Sequence, residues 1–177
     1  MNASTFNEIY SIMEEAFPPS ETRTREGQQM LLDHPYYQLL TECDETGKVA
    51  GFLAGWDFPS FRFVEHLAVN SQLRGRGMGQ KLLTCFMENA GKPIILEVEP
   101  ATDEITSRRI SFYKRLGFHV NAMGYVQPPL REDQPELPLL IMSYPIPLNE
   151  EEFAPLRETL YSEVYKLSSM EHVELIG

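Results

Sequence analysis

A basic, glycine-rich run at residues 74–79 carries the clearest chemistry in this sequence. It follows a short apolar stretch that ends at Val69, and a helical pattern begins at about Met78. Glycines leave backbone amides uncovered at the helix N-terminus, where the helix dipole is positive, and such termini bind phosphate groups. The spacing predicts a phosphate-binding turn, and a plain strand-to-helix turn with solvated arginines is the alternative. The predicted turn comprises Arg74, Gly75, Arg76, Gly77, Met78, Gly79 and Gln80.

Two acidic side chains interrupt the next apolar stretch, residues 94–99, which reads as a strand. Side chains alternate between the faces of a strand, so Glu97 and Glu99 share one face while Ile94, Leu96 and Val98 share the other. A carboxylate in mid-strand is costly unless it is solvated or paired. The pair therefore indicates either a polar cleft or an exposed, salt-bridged face.

A second segment settles what the glycine turn resembles. Residues 108–118 read Arg-Arg-Ile-Ser-Phe-Tyr-Lys-Arg-Leu-Gly-Phe and lie one strand beyond the turn. The two segments in this order resemble the coenzyme-binding and F-Y-x-x-x-G-F motifs of the GNAT superfamily, the acyl-CoA-dependent N-acetyltransferases. The resemblance covers roughly residues 5 to 145, and within the superfamily it is to a bacterial group whose acceptor is unassigned.

The resemblance implies acetyl-CoA as cosubstrate and no metal. The main-chain amides from Gly75 to Gln80 would hold its pyrophosphate, with Arg74 and Arg76 pairing with phosphates. The pantetheine arm would lie beside Leu67, Ala68 and Val69 and would bind their main chain as an added strand does. The resemblance thus names acetyl-CoA as the ligand of the turn, whereas the spacing alone indicates only a phosphate group.

The implied reaction needs a base and an acid. An alkylammonium is neutral in only about one molecule in 2,500 at pH 7, so the amine must lose a proton. The resemblance favours Glu97 as this base and places Glu65 second; each could instead be exposed or paired with Arg108 or Arg109. Tyr113 matches the family tyrosine that protonates the leaving thiolate, and a purely packing role is its alternative.

Two functions follow as hypotheses. The first is an N-acetyltransferase that moves an acetyl group from acetyl-CoA directly to a primary amine of a small molecule or peptide, using a glutamate or water-relayed base and the tyrosine acid. The second is a non-catalytic acyl-CoA-binding sensor or assembly subunit. The resemblance implies that the loops at residues 18–25 and 125–138 line the acceptor entrance. Arg23 and Arg25 could hold the carboxylate of an amino acid or peptide there, and the alternative is a polyamine or aminoglycoside held by Glu21, Glu65, Glu97 and Glu99.

The order of predicted helices and strands around these residues indicates an α/β fold. Two helices open the chain, the first with a capping box at Thr5 and Glu8; strands follow at 36–42, 49–57 and 61–69, then helix, strand and helix. Residues 118–125 and 137–144 read as a closing antiparallel pair. The expected fold is a GNAT-like mixed, mostly antiparallel sheet flanked by helices. Residues 1–146 form this domain, and 147–177 add an acidic amphipathic helix, from 149 to about 167, packed on it.

Composition and charge limit the kinds of partner that we expect this protein to bind. The 177 residues carry a formal net charge of −11, which argues against nucleic-acid binding. The first 20 residues lack the features of a signal peptide and no apolar run is long enough to span a membrane, so we expect a cytoplasmic protein without membrane contact. Cys43 and Cys85 are expected to be buried free thiols. The apolar stripe of the terminal helix is a candidate contact of a homodimer.

Overall fold

The computed structural model describes residues 1–166, and the chain divides into two compact units. The first unit comprises residues 1–94 and the second begins at residue 95. The last part of the predicted terminal helix, from residue 167, lies outside the described residues. None of the helices in residues 1–166 has the length and apolar character needed to cross a membrane. Within the same range, no group of three or more His, Cys, Asp or Glu side chains could hold a metal ion.

Three antiparallel strands form the sheet of the first unit. β2 (Val49–Asp57) lies between β1 (Tyr37–Cys43) and β3 (Arg62–Val69). The three predicted strands are confirmed, each within one residue at its ends. A register shift falls at Gly55, where an added Cβ would lie 2.6 Å from the Phe86 ring. Glycine at this position lets the helix that carries Phe86 approach the sheet closely.

Three α-helices accompany these strands: α1 (Ala3–Ala16), α2 (Arg25–Met30) and α3 (Met78–Met87). The predicted capping box at Thr5 is wrong, because α1 begins two residues earlier and Asn2 is its N-cap, accepting from the Thr5 amide. Glu8 instead accepts a 2.7 Å hydrogen bond from the Val49 amide. The backbone amide at the start of β2 thus binds the Glu8 side chain that the local pattern assigned to the capping box.

Both cysteines contradict the expectation of burial. Cys43 and Cys85 are free and exposed. Cys43 ends β1 at a register shift between Glu42 and Cys43, which turns it from the core face. Cys85 lies on α3 between the buried Leu83 and Phe86, at a helical position that faces away from them.

The second unit contains four strands in its described part. β4 (Ile94–Val98), which begins at the last residue of the first unit, lies next to β7 (Leu137–Tyr144), and β7 pairs antiparallel with β5 (His119–Val120) and β6 (Tyr125–Gln127). α4 (Glu104–Arg115) follows β4, with Asp103 as its N-cap.

The predicted continuous strand at 118–125 is wrong. It is split into β5 and β6, which pair with opposite ends of β7. Asn121 causes the break: its side-chain amide donates to the Ile141 carbonyl at 3.2 Å and to Ser143 Oγ at 3.0 Å, and its Oδ1 accepts from the Leu148 amide at 2.7 Å. These bonds fix a buried asparagine as a junction between chain segments, which local propensity does not reveal.

The C-terminal segment is part of the second unit. α5 (Glu150–Thr159) starts with Asn149 in a capping box with Glu152, and a π-helical turn (Leu160–Val164) continues it. The apolar stripe is buried: Phe153 and Leu160 are fully covered, and Tyr161 and Val164 are 1% exposed. This coverage removes the reason to invoke a dimer contact, and the oligomeric state stays a prediction. The domain division at residue 146 also stays a prediction.

Candidate active site

The glycine turn forms an open helix N-terminus in the first unit. β3 ends at Val69, a 3-10 turn (Ser71–Leu73) follows, and α3 begins after Gly77. Gly75 and Gly77 have φ values of +82° and +76°, which side-chain-bearing residues rarely adopt. Gly77 is the N-cap and provides no side-chain cap, and the first amide of the helical ladder is that of Lys81. The amides of Met78, Gly79 and Gln80 therefore precede the ladder and can serve an anion.

The two arginines of the turn are exposed and make no ion pair with any of residues 1–166. Arg74 Nε lies 3.5 Å from the Val69 carbonyl oxygen, so the Arg74 side chain lies next to the end of β3. Positive charge at this turn stands out in a chain of net charge −11. Uncovered amides, the positive helix end and two guanidinium groups are a donor set that fits phosphate groups.

The segment proposed to meet the pantetheine arm is the last part of β3. Leu67 and Val69 are half-buried and Ala68 is buried. The three residues pair with Leu53, Phe52 and Gly51 of β2. The segment is thus regular strand whose backbone is fixed along one edge by β2.

Glu65, the second candidate base, is held in a buried ion pair. Its side chain is 3% exposed, and its Oε1 accepts from Arg23 Nη1 at 2.6 Å. Its Oε2 accepts from Trp56 Nε1 at 2.9 Å. Burial alone would raise the pKa of Glu65, but the Arg23 guanidinium and the hydrogen bonds outweigh it and lower that pKa below the ordinary value. A carboxylate so neutralised is a poor base, so this geometry favours Glu97.

Glu65→Gln is expected to reduce the free energy of unfolding by about 3 to 5 kcal/mol at neutral pH, because it removes the negative charge that faces the buried Arg23 guanidinium. Since the folded pKa of Glu65 is lowered, the wild-type contribution is present above the carboxyl's ordinary pKa and is lost as pH falls through the lowered value. Urea unfolding at pH 7 and at a series of lower pH values measures both effects.

The matched control is Glu42→Gln, which breaks a 2.8 Å pair to Lys81, whose side chain is 69% exposed. We expect this variant to lose less than about 1 kcal/mol. Equal losses in the two variants would contradict a special role for the buried pair.

Residues near Glu65 have structural partners of their own. His66 is 3% exposed and its Nε2 lies 2.7 Å from the Glu21 carbonyl oxygen, with the Phe17 ring against its edge. Burial lowers the pKa of His66. Arg25 bonds Asn7 Oδ1 and stacks over the ring of Phe6. Arg23 and Arg25, expected to hold an acceptor carboxylate, are thus engaged with side chains of the chain itself.

Glu97, the first candidate base, lies in mid-β4 in the second unit and is half-buried. Its Oε1 accepts from the Tyr125 hydroxyl, and both of its oxygens contact the Tyr165 hydroxyl, at 2.8 and 2.7 Å. Burial, followed by the nearby Glu97 carboxylate, raises the pKa of Tyr125 well above the ordinary value, so this phenol stays protonated and donates. Glu97 is therefore an oriented carboxylate in a polar niche.

The neighbouring Glu99 behaves differently. Its Oε2 lies 3.3 Å from Arg109 Nη1, and the two side chains are 44% and 39% exposed. Arg108 pairs with Glu104 on the surface of α4. The salt-bridged interpretation therefore fits Glu99, whereas Glu97 accepts hydrogen bonds from phenols.

Tyr113 lies on α4 in the same unit as Glu97. It is 8% exposed, and the rings of Phe112 and Phe118 pack against it with centroids 5.2 and 5.9 Å away. Burial raises the pKa of Tyr113 to about 12. No group in residues 1–166 hydrogen-bonds its hydroxyl. The phenol is thus a fixed, protonated donor whose ring is held by packing.

Sequence reasoning missed four partners of the candidate carboxylates, which are Arg23 and Trp56 at Glu65 and Tyr125 and Tyr165 at Glu97. It placed Arg23 and Tyr125 in the acceptor loops, and it counted Tyr165 among the apolar residues of the tail. A usable signal was present, because a buried tyrosine normally directs its hydroxyl to a hydrogen-bond partner. The partner itself is set by packing between elements remote in sequence, which no local pattern contains.

Comparison with known proteins identifies the family to which the chain belongs. A model of the acetyltransferase (GNAT) family matches residues 6–118. A GNAT-family protein of Bacteroides thetaiotaomicron has the same fold, with a TM-score of 0.82, 33% identity, and coverage of 92% of this chain and 93% of that one. The chain belongs to the acetyltransferase (GNAT) family, and its mixed, mostly antiparallel α/β fold confirms the predicted fold class.

Two curated relatives match in part. YjbC of Bacillus subtilis is 33% identical over 112 residues, which are 62% of this chain and 58% of that protein. The L-methionine sulfoximine/L-methionine sulfone acetyltransferase of Pseudomonas aeruginosa is 30% identical over 106 residues, 57% of this chain and 56% of that protein. The matches thus span a little over half the length of these relatives. Structural neighbours of 14% and 18% identity, which support the fold alone, contain coenzyme A or acetyl-CoA.

Proposed function

We propose that this protein is an N-acetyltransferase that moves an acetyl group from acetyl-CoA to a primary amine. One observation carries the proposal: a member of the acetyltransferase family keeps an open, glycine-opened helix N-terminus with two arginines beside it. Acetyl-CoA supplies the acetyl group as a thioester, together with the phosphates that such a terminus binds.

The turn and the end of β3 would hold the cosubstrate. The amides of Met78, Gly79 and Gln80 donate to pyrophosphate oxygens, and Arg74 and Arg76 neutralise phosphate charge. The backbone of residues 67–69 aligns the pantetheine arm. Their contribution is to fix the position of the acetyl group, since a held geometry removes much of the entropy cost of bringing two reactants together.

Glu97 is the proposed base. A Glu97 oxygen, directly or through one water, takes a proton from the acceptor ammonium, and the neutral nitrogen then attacks the acetyl carbon. The second proton of that nitrogen passes to solvent as the amide forms. The carbon–sulfur bond then breaks and its electron pair stays on sulfur. Glu97 fits this role better than Glu65, because two phenols donate to Glu97 while Glu65 is paired with the buried Arg23 guanidinium.

Tyr113 is the proposed donor to the leaving sulfur. Full transfer from a phenol of pKa about 12 to a thiolate whose thiol has a pKa near 8.5 is uphill by about 5 kcal/mol. The phenol therefore stabilises the developing thiolate chiefly as a hydrogen-bond donor, and the sulfur gains its final proton later.

The acceptor is proposed to be a primary amine of a small molecule or peptide. The relative from Pseudomonas aeruginosa acts, by its name, on amino-acid analogues, and these belong among the amines to be tried. Carboxylate recognition through Arg23 or Arg25 receives no support, since both are engaged elsewhere. A cytoplasmic location stays a prediction.

The test combines binding and turnover. Calorimetric titration with acetyl-CoA is expected to give one site per chain, and thiol release from acetyl-CoA should rise when amines of a panel are added. The panel holds amino acids and their sulfone analogues, polyamines, aminoglycosides and short peptides. No heat of binding would overturn the proposal. Binding without amine-dependent release throughout the panel would favour a coenzyme-binding sensor or assembly subunit instead.

A further inference from the structure

The Glu97 carboxylate is held by two phenols that lie outside the region matched by the family model, which ends at residue 118. Tyr125 reaches it from β6. Tyr165 follows the π-helical turn at the end of the C-terminal segment, 68 residues from Glu97 in sequence, and touches both carboxylate oxygens. Residues beyond the part of the chain that the family model matches thus reach the proposed base.

Packing fixes the rings that carry these hydroxyls. Tyr161 is the centre of the group, with ring centroids 6.0 Å from Tyr125 and 6.5 Å from Tyr165, and its own hydroxyl donates to the Val126 carbonyl at 2.7 Å. Phe153 closes the group 5.8 Å from Tyr125. All four rings are at most 7% exposed. The hydroxyls of Tyr125 and Tyr165 therefore have little freedom to leave the carboxylate.

We infer that Tyr165, with Tyr125, is a positioning residue that holds Glu97 in one orientation and keeps it ionised. The inference rests on the proposed function, in which Glu97 is the base. A base must be unprotonated before the amine arrives, and hydrogen bonds donated to a carboxylate favour its charged form. It must also be aimed, because a misplacement of about 1 Å can cost about 100-fold in rate. The C-terminal segment thereby supplies a working part of the site.

The decisive variant is Tyr165→Phe, which removes one hydroxyl and keeps the ring. We expect kcat to fall about 10- to 100-fold with an unchanged Kd for acetyl-CoA. The acidic limb of the pH–kcat profile should move to higher pH, because loss of a donor disfavours the ionised carboxylate. A role in stability alone would leave the profile in place.

Tyr161→Phe is the matched control. It removes a hydroxyl from the same segment and the same ring cluster, but that hydroxyl bonds the Val126 carbonyl and not Glu97. This variant is expected to lose thermal stability without moving the pH profile. Equal shifts of the profile in the two variants would overturn the inference.

A second measurement does not depend on turnover. In protein labelled with 13C at glutamate carboxyls, the resonance missing from Glu97→Gln is that of Glu97, and its titration can be followed by NMR. Tyr165→Phe is expected to titrate at higher pH than the wild type, and Tyr161→Phe like the wild type. Identical titrations in all three would overturn the inference. If the wild type acetylates no amine while the titrations differ as expected, the proposed function fails and the phenol–carboxylate coupling stands.

Discussion

Glu97→Gln should reduce kcat by about 100- to 10,000-fold, the range that general-base catalysis contributes. Glutamine has nearly the same shape and its carbonyl still accepts from a phenol, so the surrounding Tyr125 and Tyr165 hydroxyls keep a partner. It cannot take a proton from the attacking amine. Acetyl-CoA should bind with a Kd within about twofold of the wild-type value, because the proposed phosphate site lies on α3 and does not include Glu97. Steady-state thiol release and calorimetry measure the two quantities.

Two features sharpen this experiment. The rate of the variant should recover in part as pH rises, since a growing fraction of the amine is neutral without help from the protein. Glu99→Gln, one residue past the end of β4, is the control, because Glu99 is paired with Arg109 at the surface and lies outside the proposed machinery. Undiminished turnover in Glu97→Gln at neutral pH would show that no carboxylate base acts at this position.

Tyr113→Phe should produce the second large effect, a fall in kcat of about 100-fold or more with little change in acetyl-CoA affinity. The removed hydroxyl is the proposed donor to the developing thiolate, and loss of one such donor typically costs 100- to 1,000-fold, or about 2.7 to 4 kcal/mol. Presteady-state measurement of thiol release isolates the chemical step. The phenyl ring remains packed against Phe112 and Phe118, so the fold should be retained.

The control for this variant is Tyr144→Phe. Tyr144 lies in the same aromatic cluster, with its ring 5.6 Å from that of Phe118, but it has no proposed part in the reaction. Equal kinetic losses from the two substitutions would indicate that Tyr113 acts through packing. A loss confined to Tyr113→Phe, with unchanged far-UV circular dichroism, would support the donor role.

The two carboxylates that began as alternatives illustrate the limit of reasoning from sequence. Glu65 and Glu97 are both mid-strand acids, and alternation places Glu65 beside Phe63 and Leu67 and Glu97 beside Glu99. Their environments differ because of residues 42 and 68 positions away, an arginine beside Glu65 and a tyrosine beside Glu97. Whether a carboxylate is neutralised or poised depends on such contacts, and no window along the chain contains them.

The predicted strand at residues 118–125 shows that contacts remote in sequence also decide parts of the fold. Residues 118–125 have the composition of one strand, and only the buried Asn121, bonded to β7 and to the Leu148 amide, divides them. The C-terminal segment was likewise predicted as an amphipathic helix from its own pattern. Its coverage within the second unit, and the delivery of Tyr165 to Glu97, follow from packing.

Patterns in the sequence were enough to predict the strands of the first unit, the helix that begins at Met78, and the glycine turn before it. These features rest on alternation, helical periodicity and backbone conformations that only glycine adopts readily, all of which are local. The tertiary structure alone decided which acid is neutralised by a guanidinium, which is oriented by phenols, and how far burial weakens the acidity of Tyr113. Those properties depend on the charges, donors and apolar surface that folding brings around each group, and they change with the neighbours while the residue stays the same.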